Sequence, residues 1–326
     1  MRRAIALLVL AACHDVTEPS SSSSAARANE SAASAGSASA VPPSDSAEAA
    51  DPAAAGSASP GAKDEPSDML LVPSGKFTMG TDEGGEEDEH PAHDVTLSAF
   101  WLDRTHVTNA AYARCVAAHA CRQSNRHAAT RAHAGRDKEF LRPNQPVVGV
   151  SWDDATTYCH WVNKRLPREA ELERAMRGND NRLYPWGNEP PTPDKSDFGR
   201  PFGMSTSTTD DVGSHPAGRG PFGHEDLAGN AWQWCEDEYD PYAYRRKTRD
   251  RGIPGTCPEI LATLRELRHQ GKRRFTGSNP LPHECQHVLR GGAFNYEPNG
   301  LRATNRVHHP KRFRIVQAGF RCAKDP

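Results

Sequence analysis

The closing stretch, His287 to Cys322, constrains the fold more than any other: H-V-L-R-G-G-A-F-N-Y-E-P-N-G-L-R-A-T-N-R-V-H-H-P-K-R-F-R-I-V-Q-A-G-F-R-C. Gly291 and Gly292 stand together directly after Val288, Leu289 and Arg290. Adjacent glycines let a backbone take φ > 0 or pass close to another segment, and the apolar residues around them read as strand. At the far end Phe320 and Cys322 alternate with Arg321, the period-2 pattern of a strand with one buried face. The pattern predicts a final core strand.

Three upstream stretches complete a set. Met69-Leu70-Leu71-Val72-Pro73-Ser74-Gly75-Lys76-Phe77-Thr78-Met79-Gly80 comes first, then Pro146-Val147-Val148-Gly149-Val150-Ser151-Trp152 with Lys164-Arg165-Leu166-Pro167. The third is Gly229-Asn230-Ala231-Trp232-Gln233-Trp234. In this order, closing on R-G-G and G-F-R-C, they resemble the sulfatase-modifying factor family, whose founding members are formylglycine-generating enzymes. The resemblance runs over residues 68–326 and implies an α+β, irregular, loop-rich, C-type-lectin-like fold. It implies an activity far less firmly, because functions are carried by sites grafted onto a fold.

Arg2-Arg3 precede a short apolar run that ends at Leu10-Ala11-Ala12-Cys13. The run is too short to cross a bilayer as a helix, and with its basic start and small-residue end it reads as a secretory signal over residues 1–12. L-A-A-C resembles a bacterial lipobox, which makes Cys13 the expected lipidation site and a lipid anchor in the membrane the first expected partner. His14 after that cysteine, in place of Asp, points by analogy with lipoprotein sorting to the outer membrane. Residues 13–67 are Ser-, Ala- and Pro-rich and lack aromatic residues. Such a segment cannot offset the entropy of folding and is expected to be a disordered tether. From Asp68 onward 36 basic residues face 34 acidic ones, a balance that gives no sign of nucleic-acid binding.

Residues 68–326 are read as one domain. Val95, Leu97, Phe100 and Leu102 give a strand signal, and Thr108 or Asn109 can cap a helix through Ala118. His106 is expected as a polar core contact where the family usually has an acidic residue, and His90 and His93 as structural. Ser151 with Asp154 forms a capping box for a helix to about Asn163. A second helix follows Pro167, but Arg168 stands where the family usually has a Thr cap, a loss of about 1 kcal/mol.

Eight cysteines in an exported chain argue for disulfides. Cys115 and Cys121, at a helix end and just beyond it, are expected to pair. The family resemblance implies a second bridge, Cys159 to Cys322. Cys235, Cys257 and Cys285 remain, and the sequence leaves open which one is unpaired. No C-x2-C or His-Cys cluster appears, so no zinc site is expected.

The resemblance also implies a structural calcium ion at Asp226, the carbonyls of Gly229 and Ala231, and Gln233, where calcium-binding members have Glu. Calcium takes six to eight oxygens, and Gln supplies one without the charge. From Tyr239 to Pro280 lies a basic insert, with ten basic residues against four acidic ones. Ile260, Leu261, Leu264 and Leu267 recur at helical spacing, predicting a helix over about 258–270 that presents Arg265, Arg268 and Lys272, next to Arg273 and Arg274. That charge suits an acidic polysaccharide, lipid head groups or an acidic protein.

The family's enzymes hold copper(I) between two cysteines in a C-x4-C arrangement just after the double glycine, as soft thiolates select that ion. Here Tyr296 stands at or near the first position and Leu301 near the second, with no cysteine before Cys322. The chain is therefore expected to bind no copper and to be a membrane-anchored, non-catalytic domain for a peptide, glycan or other envelope partner. Asn295, Tyr296, Arg302, Asn305 and Arg306 are expected to line a polar groove. The alternative is a formylglycine-generating oxidase, or a related oxidoreductase, with a divergent site.

Overall fold

The computed structural model describes residues 68–124, 137–201, 207–245, 254–272, 274–276 and 279–326, all inside one compact unit, Ala58–Pro326. The expected signal, Cys13 and the tether lie outside the described residues, as does Arg273. The chain begins with β1 (Met69–Val72), β2 (Gly75–Met79), β3 (His93–Leu97), β4 (Phe100–Asp103) and helix α1 (Asn109–Ala117). Helices α2 (Trp152–Trp161) and α3 (Glu169–Arg177) follow, then β5 (Trp232–Glu238) and α4 (Cys257–His269). The last elements are β6 (Arg274–Thr276), β7 (Asn279–Pro280), β8 (Gln286–Arg290), β9 (Arg306–Pro310), β10 (Ala318–Gly319) and β11 (Ala323–Lys324). The central sheet has the order β10-β5-β8-β9, and a second sheet the order β1-β4-β11. This mixture of short helices, short strands and long connections is the loop-rich α+β architecture that the motifs imply.

The helices start where their caps stand. Thr108 Oγ1 accepts from the Ala111 N–H at 3.1 Å, and Ser151 and Asp154 form the reciprocal box. At α3 the Arg168 side chain gives no cap, but a carboxylate from β5 takes its place: the Glu169 N–H donates to Asp237 Oδ2 at 2.6 Å. A tertiary contact thus satisfies the orphan donor that the local sequence leaves open.

One core gathers Trp232, Trp234, Phe294 and Phe320 against α1 and α2, and a second gathers Phe100, Leu172, Met176, Leu227 and Leu301 under α3. The chain end departs from the expected single strand. β10 runs parallel to β5 and β11 antiparallel to β4, with Phe320, Arg321 and Cys322 crossing between the sheets. Arg321 therefore has no solvent face. It is fully buried and donates to the carbonyls of Asp103, Arg104, Glu225 and Asp226 and to Gln233 Oε1. Five fixed acceptors offset the cost of desolvating the cation, as a buried charge requires.

The bridges Cys115–Cys121 and Cys159–Cys322 are present, and Cys257 pairs with Cys285, leaving Cys235 as the free cysteine among the described residues. Helix α4 docks by Ile260 and Leu264 against Leu281. Its basic face differs from the expected free one. Arg265 is exposed, but Arg268 donates to the carbonyls of Leu281 and Pro282, and Lys272 reaches Glu87 at 3.0 Å. Docking the amphipathic helix places Arg268 against backbone carbonyls, while Lys272, just beyond the helix, pairs with Glu87 at the surface.

Candidate functional site

The loop that leaves β8 is the place where this fold would carry chemistry, and its glycine pair explains its shape. Gly291 and Gly292 have φ of +102° and +80°. A Cβ at Gly291 would stand 2.7 Å from the Leu227 carbonyl, and one at Gly292 2.7 Å from Leu301 Cδ2 and 2.9 Å from the Gly300 carbonyl. Only glycine fits both the dihedrals and the space. The loop then folds over the domain. Phe294 donates its N–H to the Asn230 carbonyl, and Gly199 and Arg200 donate theirs to the carbonyls of Tyr296 and Phe294.

The two positions that the resemblance sets against the enzymes' thiols part company here. Tyr296 is 37% exposed, with its ring edge-on to Trp232 at 5.1 Å, and burial of the rest of the residue pushes its phenol up. Leu301 is fully buried in the second core beside Leu227, Val288 and Ala303. A copper(I) ion would meet a phenol at one position and a core isobutyl group at the other, and this pair does not fit it. Cys235 does not substitute for them. It is fully buried in β5, and burial raises its thiol well above the ordinary value.

The expected groove is only partly a surface. Asn295 is half-buried beside Tyr296. Arg302 is clamped on Glu89 at 2.5 and 2.8 Å, where Thr304 also donates and Asn305 approaches at 3.4 Å. Arg306 does not line a groove at all: it is 2% exposed, pairs with Glu169 at 2.7 Å and lies over the rings of Tyr239 and Tyr244. The reason is distant in sequence. Glu169, at the start of α3, is a buried carboxylate that needs cations, and Arg290 and Arg306 supply them. Although burial pushes Glu169 up, these two guanidiniums hold it below its ordinary value.

The turn between Asp226 and Gln233 holds its backbone by positive φ at Asp226 (50°), Gly229 (81°) and Asn230 (63°). Asp226 Oδ2 accepts from the Gly213 N–H at 2.7 Å, and the Ala231 carbonyl accepts from His106 Nε2 at 2.8 Å. A carboxylate and a carbonyl each keep further lone pairs after one such bond. Gln233 is different: its Oε1 accepts from Arg321 at 2.6 Å and its Nε2 donates to the Leu227 carbonyl. Of the four expected oxygens, the one on Gln233 faces the Arg321 guanidinium, whose positive charge opposes a calcium ion there. His106 is the polar core contact expected of it, and burial, helped by Arg321, lowers it to about 3.

A second acidic cluster escaped the sequence reading. Asp197, buried, is raised to about 7 by burial and by nearby Asp210. Arg200 lies 2.5 Å from each carboxylate, and His215 stands 3.1 Å from Asp210. Thirteen positions separate the two acids, and only the fold brings them together.

Residues 54–326 match the family described as Sulfatase-modifying factor enzyme 1-like domain. The chain belongs to this family. A relative named serine/threonine-protein kinase pkn1, from Chlamydia caviae, is 33% identical over 79% of this chain. The match spans only 38% of that protein's length. The formylglycine-generating enzyme of Streptomyces coelicolor is 31% identical, with 84% of this chain and 95% of the relative covered. Among solved structures, PvdO from Pseudomonas aeruginosa superposes with a TM-score of 0.57 at 27% identity, covering 79% of this chain and 94% of PvdO. These likenesses agree with the family resemblance read from the four motifs.

Proposed function

We propose that this modifying-factor domain is a non-catalytic binding module, tethered to the cell envelope through a lipid on Cys13, for a peptide, glycan or other envelope partner. The observation that carries the reading is the divergence of Tyr296 and Leu301: one faces solvent, the other is core, and neither offers sulfur. The excess of positive charge over residues 239–280 favours an acidic polysaccharide, lipid head groups or an acidic protein. A structural calcium ion at Asp226, the carbonyls of Gly229 and Ala231, and Gln233 belongs to the same reading, and the Arg321 charge beside Gln233 Oε1 would weaken it.

A second reading is a formylglycine-generating oxidase or related oxidoreductase with a divergent site. It is favoured by the 31% identity to the Streptomyces coelicolor enzyme over nearly that protein's whole length. Metal analysis of the purified protein separates the two. Calcium without copper, and a lower melting temperature after chelation, are expected, since an ion that binds only the native state stabilises it by mass action. Stoichiometric copper would overturn the non-catalytic reading. An unchanged melting temperature with calcium or chelator would remove the calcium proposal.

A further inference from the structure

Glu238, Cys257 and Cys285 come from three elements: the last residue of β5, the first of α4 and the residue just before β8. The two sulfurs form a disulfide, and a Glu238 carboxylate oxygen lies with them in a cluster whose ligand atoms are all within 4.8 Å of one another. No motif in the sequence announces this set, because 19 and 28 positions separate its members.

Two features set this bridge apart. Both of its cysteines are only half-buried, whereas Cys115, Cys159 and Cys322 are fully buried and Cys121 is 8% exposed. A dissolved reductant therefore reaches Cys257–Cys285 first. Contacts other than the S–S bond also bring the three ligand residues together. Glu238 pairs with His287 in the β5–β8 register, and the Tyr239 N–H donates to the Gln286 carbonyl at 2.6 Å. These contacts keep Glu238 beside Cys285. Helix α4 stays docked through Ile260, Leu264 and Leu281, which keeps Cys257 close. Cys257 is in the first turn of a 13-residue helix, where the macrodipole favours a thiolate.

We propose that the reduced Cys257–Cys285 pair, with Glu238, is a site for a thiophilic divalent cation of the zinc class. A dithiol or phosphine reductant supplies the two electrons that break the S–S bond and is itself oxidised to a disulfide or phosphine oxide. The two sulfurs become thiols by taking up two protons, from the dithiol's own S–H groups or, with the phosphine, from the water molecule whose oxygen ends on phosphorus. On metal binding these protons leave to solvent, and two thiolates and one carboxylate ligate the ion. Two sulfurs and one oxygen leave a fourth tetrahedral position for water. The basic insert is then clasped to β5 and β8 under either condition, by a covalent bond when oxidised and by a metal when reduced.

The test uses the full-length chain carrying Cys13→Ala, so that Cys235 is the only other thiol. Phosphine is titrated until alkylation and peptide mapping show one bridge open, and cobalt(II) or zinc is then added. The expected result is opening of Cys257–Cys285 first and one metal per chain. Cobalt should give a sulfur-to-metal charge-transfer band and the strong visible bands of a tetrahedral site. The unreduced protein should take up none. Glu238→Gln, an isosteric change with no reason to unfold the domain, should weaken binding by at least the ~10–100-fold that loss of an outer-sphere partner costs. Cys257→Ser should remove the charge-transfer band. The proposal is overturned if a different bridge opens first, if the reduced protein takes up no metal, or if Glu238→Gln binds it as tightly as the parent.

Discussion

Asp237 shows how much one side chain can carry that its sequence position does not disclose. It caps α3 from β5, and burial together with the Glu169 carboxylate raises it to about 7. A carboxyl whose folded pKa is raised holds a proton that the unfolded chain releases. Its contribution to stability is complete below the unfolded value near 3.8 and is lost as pH rises through about 7. Asp237→Asn keeps an acceptor for the Glu169 N–H and removes the titration. Relative to the variant, the parent should therefore lose stability between pH 5 and pH 8. The slope is at most about 1.4 kcal/mol per pH unit and smaller in practice because Asp237 keeps some contact with solvent. Urea midpoints of the two proteins across that range check it, and parallel profiles would contradict it. The residues that local sequence placed well are those whose job is local: Thr108, Ser151 and Asp154 at helix starts, and Gly291 and Gly292 at the loop. Arg306 and Arg321 read as surface residues because their partners, Glu169 and five scattered acceptors, are distant in the chain.

At the scale of elements, the loop between β8 and β9 decides what the site can do. A five-residue step from Tyr296 to Leu301 was readable as a missing C-x4-C, but not that the loop turns the first side chain out and the second in. That follows from Gly292 and Gly300, which let the backbone fold closely enough for Leu301 to enter the core. Single replacements should report it. In Tyr296→Cys the new thiol should react with an aromatic disulfide reagent in the native protein. In Leu301→Cys it should react only after denaturation. Fast labelling at 301 would mean that the loop presents both positions together. The chain end teaches the same lesson: an alternating pattern predicted one strand, while the fold uses two short pieces, β10 and β11, in two sheets, with Arg321 as the buried crossing. Period-2 alternation cannot distinguish an arginine in water from one held by five internal oxygens.

For the whole molecule, the family and its α+β architecture were legible because four motifs lie at sheet strands, helix starts and the glycine turn, and each of these constrains the backbone. What the protein binds was not legible, since part of the insert's charge already has partners: Arg268 on carbonyls and Lys272 on the exposed Glu87. The anchoring proposal has its own check. Cys13→Ala should abolish incorporation of a labelled fatty acid and release the protein from the membrane fraction, and label retained in the variant would contradict it. The central claim is that the domain lacks formylglycine-generating chemistry because no thiolate pair flanks the loop. It is tested most directly by incubating the copper-loaded protein aerobically with a C-x-P-x-R peptide and following the cysteine by mass spectrometry. The account predicts no conversion of that cysteine to the aldehyde above a protein-free control. Multiple-turnover aldehyde formation that disappears on replacing Cys235 or Cys285 would contradict it.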